Sequence, residues 1–265
     1  GISYIASAEL PAVIVNIMRG SPGLGGIHPS QADYWQSVKG GGHGDYRLIV
    51  LAPASVQELI DHTILAFELA ERYRTPVMLF ADGMMGQMME PVILPEVDLP
   101  PPDRPWAVTG MNGRQQPNIV HTLYLPPDQL EGHLNRLYDK FSLIEAREKR
   151  GVSYMAEDAE ILVVSFGIMS RVARAAVEEA RENGVKAGLF RPLTLWPFPD
   201  ELLQQTAAQA KHIICAEINM GQMIEDVRLA LGKNVPVELY NRVGLVPNPT
   251  ELRDLLIKRA QEVGV

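Results

Sequence analysis

Cysteine is almost absent from the 265-residue sequence, which contains only Cys215. One thiol forms no internal disulfide, and it cannot supply the four cysteines that an iron–sulfur cluster or a structural zinc site takes. The sequence also lacks any apolar run near the ~20 residues that a membrane-spanning helix needs. We therefore expect a protein of the reducing cytoplasm, with no membrane segment and no metal site of its own.

Basic residues are also few, since 24 Lys and Arg stand against 32 Asp and Glu for a net charge of −8. That balance does not resemble the basic surface of a nucleic-acid-binding protein, so no nucleic-acid partner is predicted. Hydrophobic residues make up 46% and charged residues 21%, which is ordinary for a globular protein. The length allows one large domain or two modest ones.

The sequence opens on Gly1, with neither an initiator methionine nor a signal-peptide pattern. A buried strand is already predicted at residues 12–18, close to this start. We therefore expect an earlier part of the same domain to precede Gly1.

Short apolar runs alternate with helical patterns along most of the chain. Runs rich in branched residues predict parallel strands at Ala12–Met18, Arg47–Ala52 and Pro76–Ala81. A capping box predicts a helix over about residues 55–73, with Ser55 as N-cap and Glu58 returning to the Ser55 N–H. This order is typical of an α/β domain with a mainly parallel sheet, which we assign to residues 1–86.

Proline recurs between residues 87 and 127, with three in a row at Pro100–Pro102. Proline at this density disfavours helices and central strands, so residues 87–127 are predicted to be an extended linker. Asp128 is predicted to cap a helix that runs to about Lys149, with an apolar stripe from Leu130 to Ile144. Residues 128–158 are thus assigned to a connecting helix.

Residues 159–265 show a second, regular α/β pattern. Strands are predicted at 161–166, 185–190, 212–216 and 235–240, and helices at 170–183, 199–209 and 222–231. A last helix is predicted to start with Asn248 as N-cap and Pro249 at its first position. This region is therefore a second α/β domain with a mainly parallel sheet.

The candidate chemistry of the first domain lies directly after its first strand, in Arg19 and the loop Gly20–Gly26. The loop fits neither the G-x-G-x-x-G nor the P-loop pattern, yet the carboxyl end of a parallel strand is where α/β proteins bind ligands. Arg19 would offer a bidentate fork to a carboxylate or phosphate, or would pair with a nearby acid on the surface. Spacing alone leaves both open.

Other polar residues have alternative interpretations. His28, His43 and Asp45 add titratable groups near the loop, but their spacing matches no metal-ligand pattern. His62 and His133 are predicted to be surface or half-buried side chains. The turn 165–167 would bind an anion or simply connect a strand to a helix. Glu217 would be catalytic or would pair at an interface, and four methionines at 84–89 suggest packing against a partner.

Three stretches together resemble a known family: AELPAVIVNIMRGSPGLGG, GGGHGDYRLIVLAPASVQE and AFELAERYRTPVMLFADG. They are similar to the alpha subunit of 2-oxoacid:ferredoxin oxidoreductases, most of all the 2-oxoisovalerate (branched-chain) type and next the 2-oxoglutarate type. The later stretch KHIICAEINMGQM and the segment before it look like the carboxy-terminal domain of the transketolase superfamily. The resemblance covers nearly the whole chain.

The resemblance implies an incomplete pyrimidine-type thiamine diphosphate domain at 1–86 and a transketolase C-terminal-like domain at 159–265. It implies oxidative decarboxylation of a 2-oxoacid to acyl-coenzyme A and CO2, with reduction of ferredoxin. Thiamine diphosphate with Mg²⁺ would be shared with a beta subunit, and [4Fe–4S] clusters would lie on an iron–sulfur, ferredoxin-like partner subunit. Arg19 matches the family's contact to the substrate carboxylate, so Gly20, Ser21 and His43 would also bind substrate.

One family feature has no counterpart in this sequence. The glutamate that protonates the cofactor's pyrimidine nitrogen belongs to the front of the domain, ahead of Gly1, so no catalytic residue is predicted here. Two alternatives stay open: a beta-subunit-like component of a thiamine-dependent 2-oxoacid dehydrogenase or transketolase, and a non-catalytic α/β assembly module.

Overall fold

The fold is described from a computed structural model over residues 1–96, 103–233 and 235–264. Its strands in chain order are β1 (Ala12–Met18), β2 (Ile49–Leu51), β3 (Pro76–Asp82), β4 (Gly151–Tyr154), β5 (Ile161–Ser165), β6 (Ala187–Pro192), β7 (Thr194–Trp196), β8 (His212–Glu217) and β9 (Val237–Asn241). Its helices are α1 (Ile2–Ser7), α2 (Tyr34–Val38), α3 (Val56–Tyr73), α4 (Pro127–Glu148), α5 (Gly167–Glu182), α6 (Asp200–Thr206), α7 (Met223–Leu231) and α8 (Pro249–Val263), with a 3₁₀ turn at Met85–Gln87.

The strands form two mainly parallel sheets, as the sequence predicts. The first has the order β1-β3-β2-β7, in which β1, β3 and β2 are parallel. The second has the order β4-β6-β5-β8-β9, in which only β4 runs antiparallel. Buried β-branched and aliphatic side chains fill β2, β3 and β5, as expected of strands covered on both faces.

One strand of the later part of the chain belongs to the first sheet, which the alternation of strands and helices along the sequence does not predict. Strand β7 directly follows β6 of the second sheet, but it pairs antiparallel with β2 of the first sheet. The Ala52 N–H continues this pairing by donating to the Leu193 carbonyl at 2.9 Å. The first domain is therefore completed by residues that lie far along the sequence.

Helix α3 begins as predicted, with one change in its cap. Ser55 Oγ accepts a hydrogen bond from the Glu58 N–H at 3.1 Å. The carboxylate of Glu58 turns to the Ala54 N–H at 2.8 Å instead of the predicted Ser55 N–H. It also accepts from Arg191 of β6, so a distant cation draws the carboxylate away from the local capping box.

Helix α4 shows that the predicted cap at Asp128 was wrong. Pro126 occupies the N-cap position without a side-chain hydrogen bond, and Pro127 is already helical. Proline fits a first helical position because its missing N–H would have no partner there. The predicted apolar stripe is buried at Leu137, Phe141 and Ile144.

In the second domain the predicted elements are present with shifted ends. Helix α5 starts at Gly167, three residues before the prediction, and β6 ends at Pro192 rather than Phe190. Helix α6 is shorter than predicted. Asn248 caps α8 as expected, because its side chain accepts from the Thr250 N–H at 3.0 Å.

Between the 3₁₀ turn and α4, the described residues 88–96 and 103–126 contain no helix or strand. The linker predicted at 87–127 includes these residues, whereas Gln87 belongs to the 3₁₀ turn, Pro127 belongs to α4, and Pro100–Pro102 lie outside the described residues. In the part of the chain that the structure describes, no helix is long and apolar enough to cross a membrane.

A candidate site at the ends of the first-sheet strands

The side chain of Arg19 closes the loop that follows β1. Its Nη1 donates to the carbonyls of Gly20 at 2.8 Å and Leu24 at 2.6 Å, and its Nη2 donates to the Gly23 carbonyl at 3.0 Å. The Gly26 N–H also donates to the Gly20 carbonyl at 2.9 Å. The loop is thus a compact turn built around a guanidinium, with Gly20 buried and Arg19 exposed.

A cavity of about 390 Å³ opens beside this loop. One wall follows the loop, and the other follows the end of β3. Its lining is Ile27, His28, Pro29, Gly83, Met84, Gln87 and Met88. The cavity therefore lies at the carboxyl ends of β1 and β3, which is the usual ligand position in a parallel sheet. Its walls are mostly apolar, and the described residues that line it include neither Lys nor Arg.

Asp82 ends β3 directly behind that cavity but does not line it. Its Oδ1 accepts from the N–H groups of Met84 at 2.9 Å and Met85 at 3.1 Å. Burial raises the pKa of Asp82, against the opposing effect of these N–H donors and of Ile168 N–H. Asp82 therefore holds the start of the Met-rich segment in place and also contacts the second domain at α5.

His43 lies apart from the Arg19 cavity. It lines a second cavity of about 320 Å³, together with Tyr4 of α1, Tyr46 and His133 of α4. The Nδ1 atom of His43 accepts from the Gly44 N–H at 3.1 Å, and the side chain is exposed. The structure thus brings Arg19, Gly20 and Ser21 together in one loop and places His43 on a different surface.

The histidines on α3 and α4 are more buried than predicted. His62 is 9% exposed and His133 only 2%, so the prediction that they are surface or half-buried side chains was wrong. The ring of His133 stacks on Tyr124, with centroids 4.4 Å apart. Burial lowers the pKa of both histidines, and the charge of Arg136 adds to this at His133. Helical periodicity did not reveal this because the linker residue Tyr124 covers His133.

Glu217, at the end of β8, caps a helix. Its buried carboxylate accepts from the N–H groups of Gln222 at 3.2 Å, Met223 at 2.7 Å and Ile224 at 3.0 Å. Asn219 Nδ2 donates to it at 2.9 Å. A carboxylate is stabilised at this position by the free N–H groups and the dipole of α7. The geometry therefore gives Glu217 a structural role.

The turn Ser165–Gly167 binds a side chain of the first domain. Ser165 Oγ donates to the Ala216 carbonyl at 2.9 Å, which joins β5 to β8. The Phe166 carbonyl accepts from the side-chain amide of Gln31 at 2.8 Å. Sequence reasoning missed Gln31 entirely, because a single glutamine in a loop gives no periodic or motif signal.

No cluster of three or more His, Cys, Asp or Glu side chains suited to a metal ion occurs in residues 1–96, 103–233 and 235–264. The described lining of the cavity beside Arg19 also contains no carboxylate. The residues that line this cavity therefore offer apolar contact to a ring or an aliphatic chain. They offer neither a ligand set for Mg²⁺ nor an acid for a pyrimidine nitrogen.

Two family models match the chain. Residues 1–122 match "Pyruvate flavodoxin/ferredoxin oxidoreductase, thiamine diP-bdg", and residues 159–249 match "Pyruvate:ferredoxin oxidoreductase core domain II". The matched ranges fall on either side of α4: the first contains β1, β2 and β3, and the second contains β5, β6, β8 and β9 together with β7, which pairs with the first sheet.

Among curated proteins, the chain is 51% identical to the ketoisovalerate oxidoreductase subunit VorB of Methanothermobacter marburgensis, over 100% of this chain and 74% of that protein. It is 34% identical to the 2-oxoglutarate synthase subunit KorA of Methanothermobacter thermautotrophicus, over 97% of this chain and 76% of that protein. Among solved structures, a 2-oxoglutarate:ferredoxin oxidoreductase from Magnetococcus marinus superposes with a TM-score of 0.76 at 22% identity. That match covers 97% of this chain and 50% of the other. The fold is therefore shared across these proteins.

Proposed function

The chain belongs to the 2-oxoacid:ferredoxin oxidoreductases, a family of thiamine diphosphate-dependent enzymes. We propose that the substrate of its enzyme is a branched-chain 2-oxoacid. The reaction is the oxidative decarboxylation of 2-oxoisovalerate with coenzyme A, which yields an acyl-coenzyme A and CO2 and passes two electrons to ferredoxin. The observation that carries this choice is the 51% identity to a ketoisovalerate oxidoreductase subunit, against 34% to a 2-oxoglutarate synthase subunit.

The cavity beside the Arg19 loop supports an aliphatic substrate. Ile27, Met84 and Met88 offer soft apolar contacts, which suit a branched side chain. The second carboxylate of 2-oxoglutarate calls for a cation, and the described lining of this cavity contains His28 but neither Lys nor Arg. We therefore rank 2-oxoglutarate second.

In this proposal Arg19, Gly20 and Ser21 bind the substrate carboxylate. The guanidinium of Arg19 now donates to neutral carbonyls of its own loop. Hydrogen bonds between charged partners are stronger than those to neutral carbonyls, so a substrate carboxylate would replace some of these carbonyls while the others keep the loop closed. His43 would approach the substrate only if the loop Gly40–Asp45 closes over the site.

The cofactor would be shared with a partner. When bound, thiamine diphosphate supplies the nucleophilic carbon that adds to the 2-oxo group. Met84, Met88 and Ile27 line the cavity and would contact the ring of the cofactor or the substrate. We propose that a beta subunit holds the diphosphate end with Mg²⁺, and that an iron–sulfur subunit carries the [4Fe–4S] clusters. The chain itself has one cysteine, which is too few for such a cluster.

We also propose that the cofactor domain includes residues 1–86 and that residues 159–265 form the second domain, joined by the linker 87–127 and a connecting segment at 128–158. One family match begins at residue 159, which supports the start of the second domain there, whereas the other spans 1–122 and so includes most of the proposed linker. A cytoplasmic location is proposed because the single thiol of Cys215 is unpaired and buried.

The test uses the complete complex, purified without oxygen. Viologen reduction is measured with 2-oxoisovalerate, 2-oxoglutarate and pyruvate, each with coenzyme A. We expect the highest kcat/KM with 2-oxoisovalerate. A preference for 2-oxoglutarate would overturn the substrate assignment, and a complex without iron–sulfur absorbance would overturn the reaction itself.

The same assay tests Arg19. We expect Arg19→Ala to raise KM for the 2-oxoacid and to lower kcat/KM by ~10²-fold, because a charged two-pronged contact is lost. Arg19→Lys is the matched control, since it keeps the charge and removes the fork. We expect its kcat/KM to lie between those of the wild type and Arg19→Ala. If KM does not change while stability falls, Arg19 only holds its loop together.

A further inference from the structure

The C-terminal end of the loop around Arg19 is held by the second domain. Gln31 follows that loop, and its side chain is fully buried. Its Nε2 donates to the Phe166 carbonyl at 2.8 Å, and its Oε1 accepts from the Ile218 N–H at 3.0 Å. Both polar atoms of the amide are therefore satisfied by main-chain groups at the ends of β5 and β8.

The main chain of the same residue makes two further contacts. The Gln31 N–H donates to the Ile218 carbonyl at 2.9 Å, and the Gln31 carbonyl accepts from Asn219 Nδ2 at 3.0 Å. Ser30 Oγ donates to the Ile218 carbonyl at 3.2 Å. Two consecutive residues of the first domain are thus bound to two consecutive residues of the second.

A second glutamine makes the reciprocal connection. Gln222 precedes α7 in the second domain, and its Nε2 donates to the Ala32 carbonyl at 2.7 Å. Its Oε1 accepts from the Trp35 N–H at 2.9 Å, at the start of α2. Gln31 binds the main chain of the second domain, and Gln222 binds the main chain of the first. We call these two residues the glutamine pair.

The glutamine pair lies immediately beyond the closed base of the loop. Arg19 and Pro29 form an antiparallel bridge, and the Gly20 N–H donates to the His28 carbonyl at 2.9 Å. On one side of this base, β1 is hydrogen-bonded to β3 in the first sheet. On the other side, the next residues after Pro29 are bound to Ile218 of the second domain. The loop therefore has its two ends fixed by different sheets.

We propose that Gln31 is a positioning residue, which with Gln222 fixes the loop Gly20–His28 and so holds Arg19 where it binds the 2-oxoacid. This inference rests on the proposed function for the role of Arg19. It gives the second domain an indirect part in substrate binding, through the loop, since that domain does not line the cavity beside Arg19. Loss of both glutamine side chains removes four hydrogen bonds that hold this end of the loop without touching the guanidinium, while the contacts of Ser30 and of the Gln31 main chain remain.

The test compares Gln31→Met with the wild type in the complete complex. Methionine has nearly the same volume and length but offers no N–H donor and only a weak acceptor. We expect hydrogen exchange of the Gly20 and Gly26 amides to become at least tenfold faster. We expect KM for the 2-oxoacid to rise at least tenfold, with kcat changed less than threefold and KM for coenzyme A unchanged.

Tyr73→Phe is the matched control. Tyr73 donates to Glu148 at 2.6 Å in a buried contact at the other end of the first sheet, so this variant loses one buried hydrogen bond where Gln31→Met loses two. We expect lower thermal stability, with loop exchange and both KM values unchanged. Gln222→Met breaks the reciprocal contact from the second domain. It is the replacement test variant if Gln31→Met does not assemble, and we expect the same changes in amide exchange and in KM.

The two readouts separate the possible failures. Unchanged loop exchange in both glutamine variants would overturn the inference, whatever the activity. Faster exchange with an unchanged KM for the 2-oxoacid would overturn the positioning role. If the wild type turns over no 2-oxoacid, the proposed function fails, while the exchange data still decide whether the glutamine pair fixes the loop.

Discussion

Arg191 on β6 donates two hydrogen bonds to the carboxylate of Glu58 on α3, one of them at 2.9 Å. The pair joins the first helix after the glycine-rich segment to the second sheet. Both side chains are mostly buried, with 15% and 27% of their surfaces exposed. This ion pair is therefore one of the connections that fix the two domains against each other.

Arg191→Met is expected to lower the free energy of unfolding by about 1–3 kcal/mol, between the values for exposed and fully buried ion pairs. The reason is that the Glu58 carboxylate then lacks its cation. Chemical denaturation of the complex measures the change. Glu58→Gln in the same background is the control, because it removes the unpaired charge and should restore part of the loss.

The same pair predicts how stability depends on pH. Burial raises the pKa of Glu58, but the hydrogen bond and charge of Arg191, with the Ala54 N–H, outweigh it and leave the pKa below its ordinary value. The stabilisation of the fold by the ionised Glu58 carboxylate is thus fully present above the unfolded-state pKa of about 4.3. It is lost as the pH falls through the lower folded-state pKa. The stability difference between wild type and Glu58→Gln should shrink over that range, and a constant difference would contradict this.

Much of the fold follows from local sequence signals. Ser55 and Asn248 mark helix starts because their side chains cap locally, within two or three residues. Other features depend on distant residues and could not be predicted. The Glu58 carboxylate leaves its capping box for Arg191, and β7 joins the first sheet although it follows a strand of the second. Helix α1, with six residues, is too short to show a period.

The site was predictable only in part, for a similar reason. Arg19 was predictable because it directly follows a strand and precedes a glycine-rich loop, and such positions bind ligands in parallel sheets. Gln31 and Gln222 have no such signal. Their amides matter only because folding brings main-chain groups of the other domain within 3 Å, and one sequence does not show that contact.

Glu217→Gln tests the capping role of Glu217. An amide presents one acceptor oxygen instead of two and adds an N–H₂ group facing the N–H donors of α7. We expect the free energy of unfolding to fall by about 2 kcal/mol or more, as for other buried hydrogen bonds to a charged group. Denaturant unfolding measures the loss, and Glu225→Gln, in the first turn of α7, is the matched control with little change expected. Equal stability of wild type and Glu217→Gln would refute the capping role.

Cys215 is expected to resist alkylation in the native complex. The thiol is fully buried, and burial together with the nearby charge of Glu217 raises its pKa well above the ordinary value. Since the thiolate is the reacting form, labelling by iodoacetamide at pH 8 should be ~10²-fold or more slower than in denaturant. Mass spectrometry of the peptide that contains Cys215, the only cysteine of the chain, measures the rate. Rapid labelling under native conditions would show that β8 is accessible.

Gly25 offers the sharpest test of the loop itself. A Cβ there would lie 1.9 Å from the Gly20 carbonyl oxygen and 2.9 Å from Arg19 Nη1, so Gly25→Ala forces the main chain to move. Gly23 is the matched control, because it also has a positive φ but has open space around the Cβ position. We expect Gly25→Ala to raise KM for the 2-oxoacid at least tenfold and to speed exchange of the Gly26 amide. Gly23→Ala carries only the backbone strain of about 1–2 kcal/mol and should change KM by less than threefold. Similar KM values for the two variants would mean that the closed loop seen around Arg19 is not the form that binds substrate.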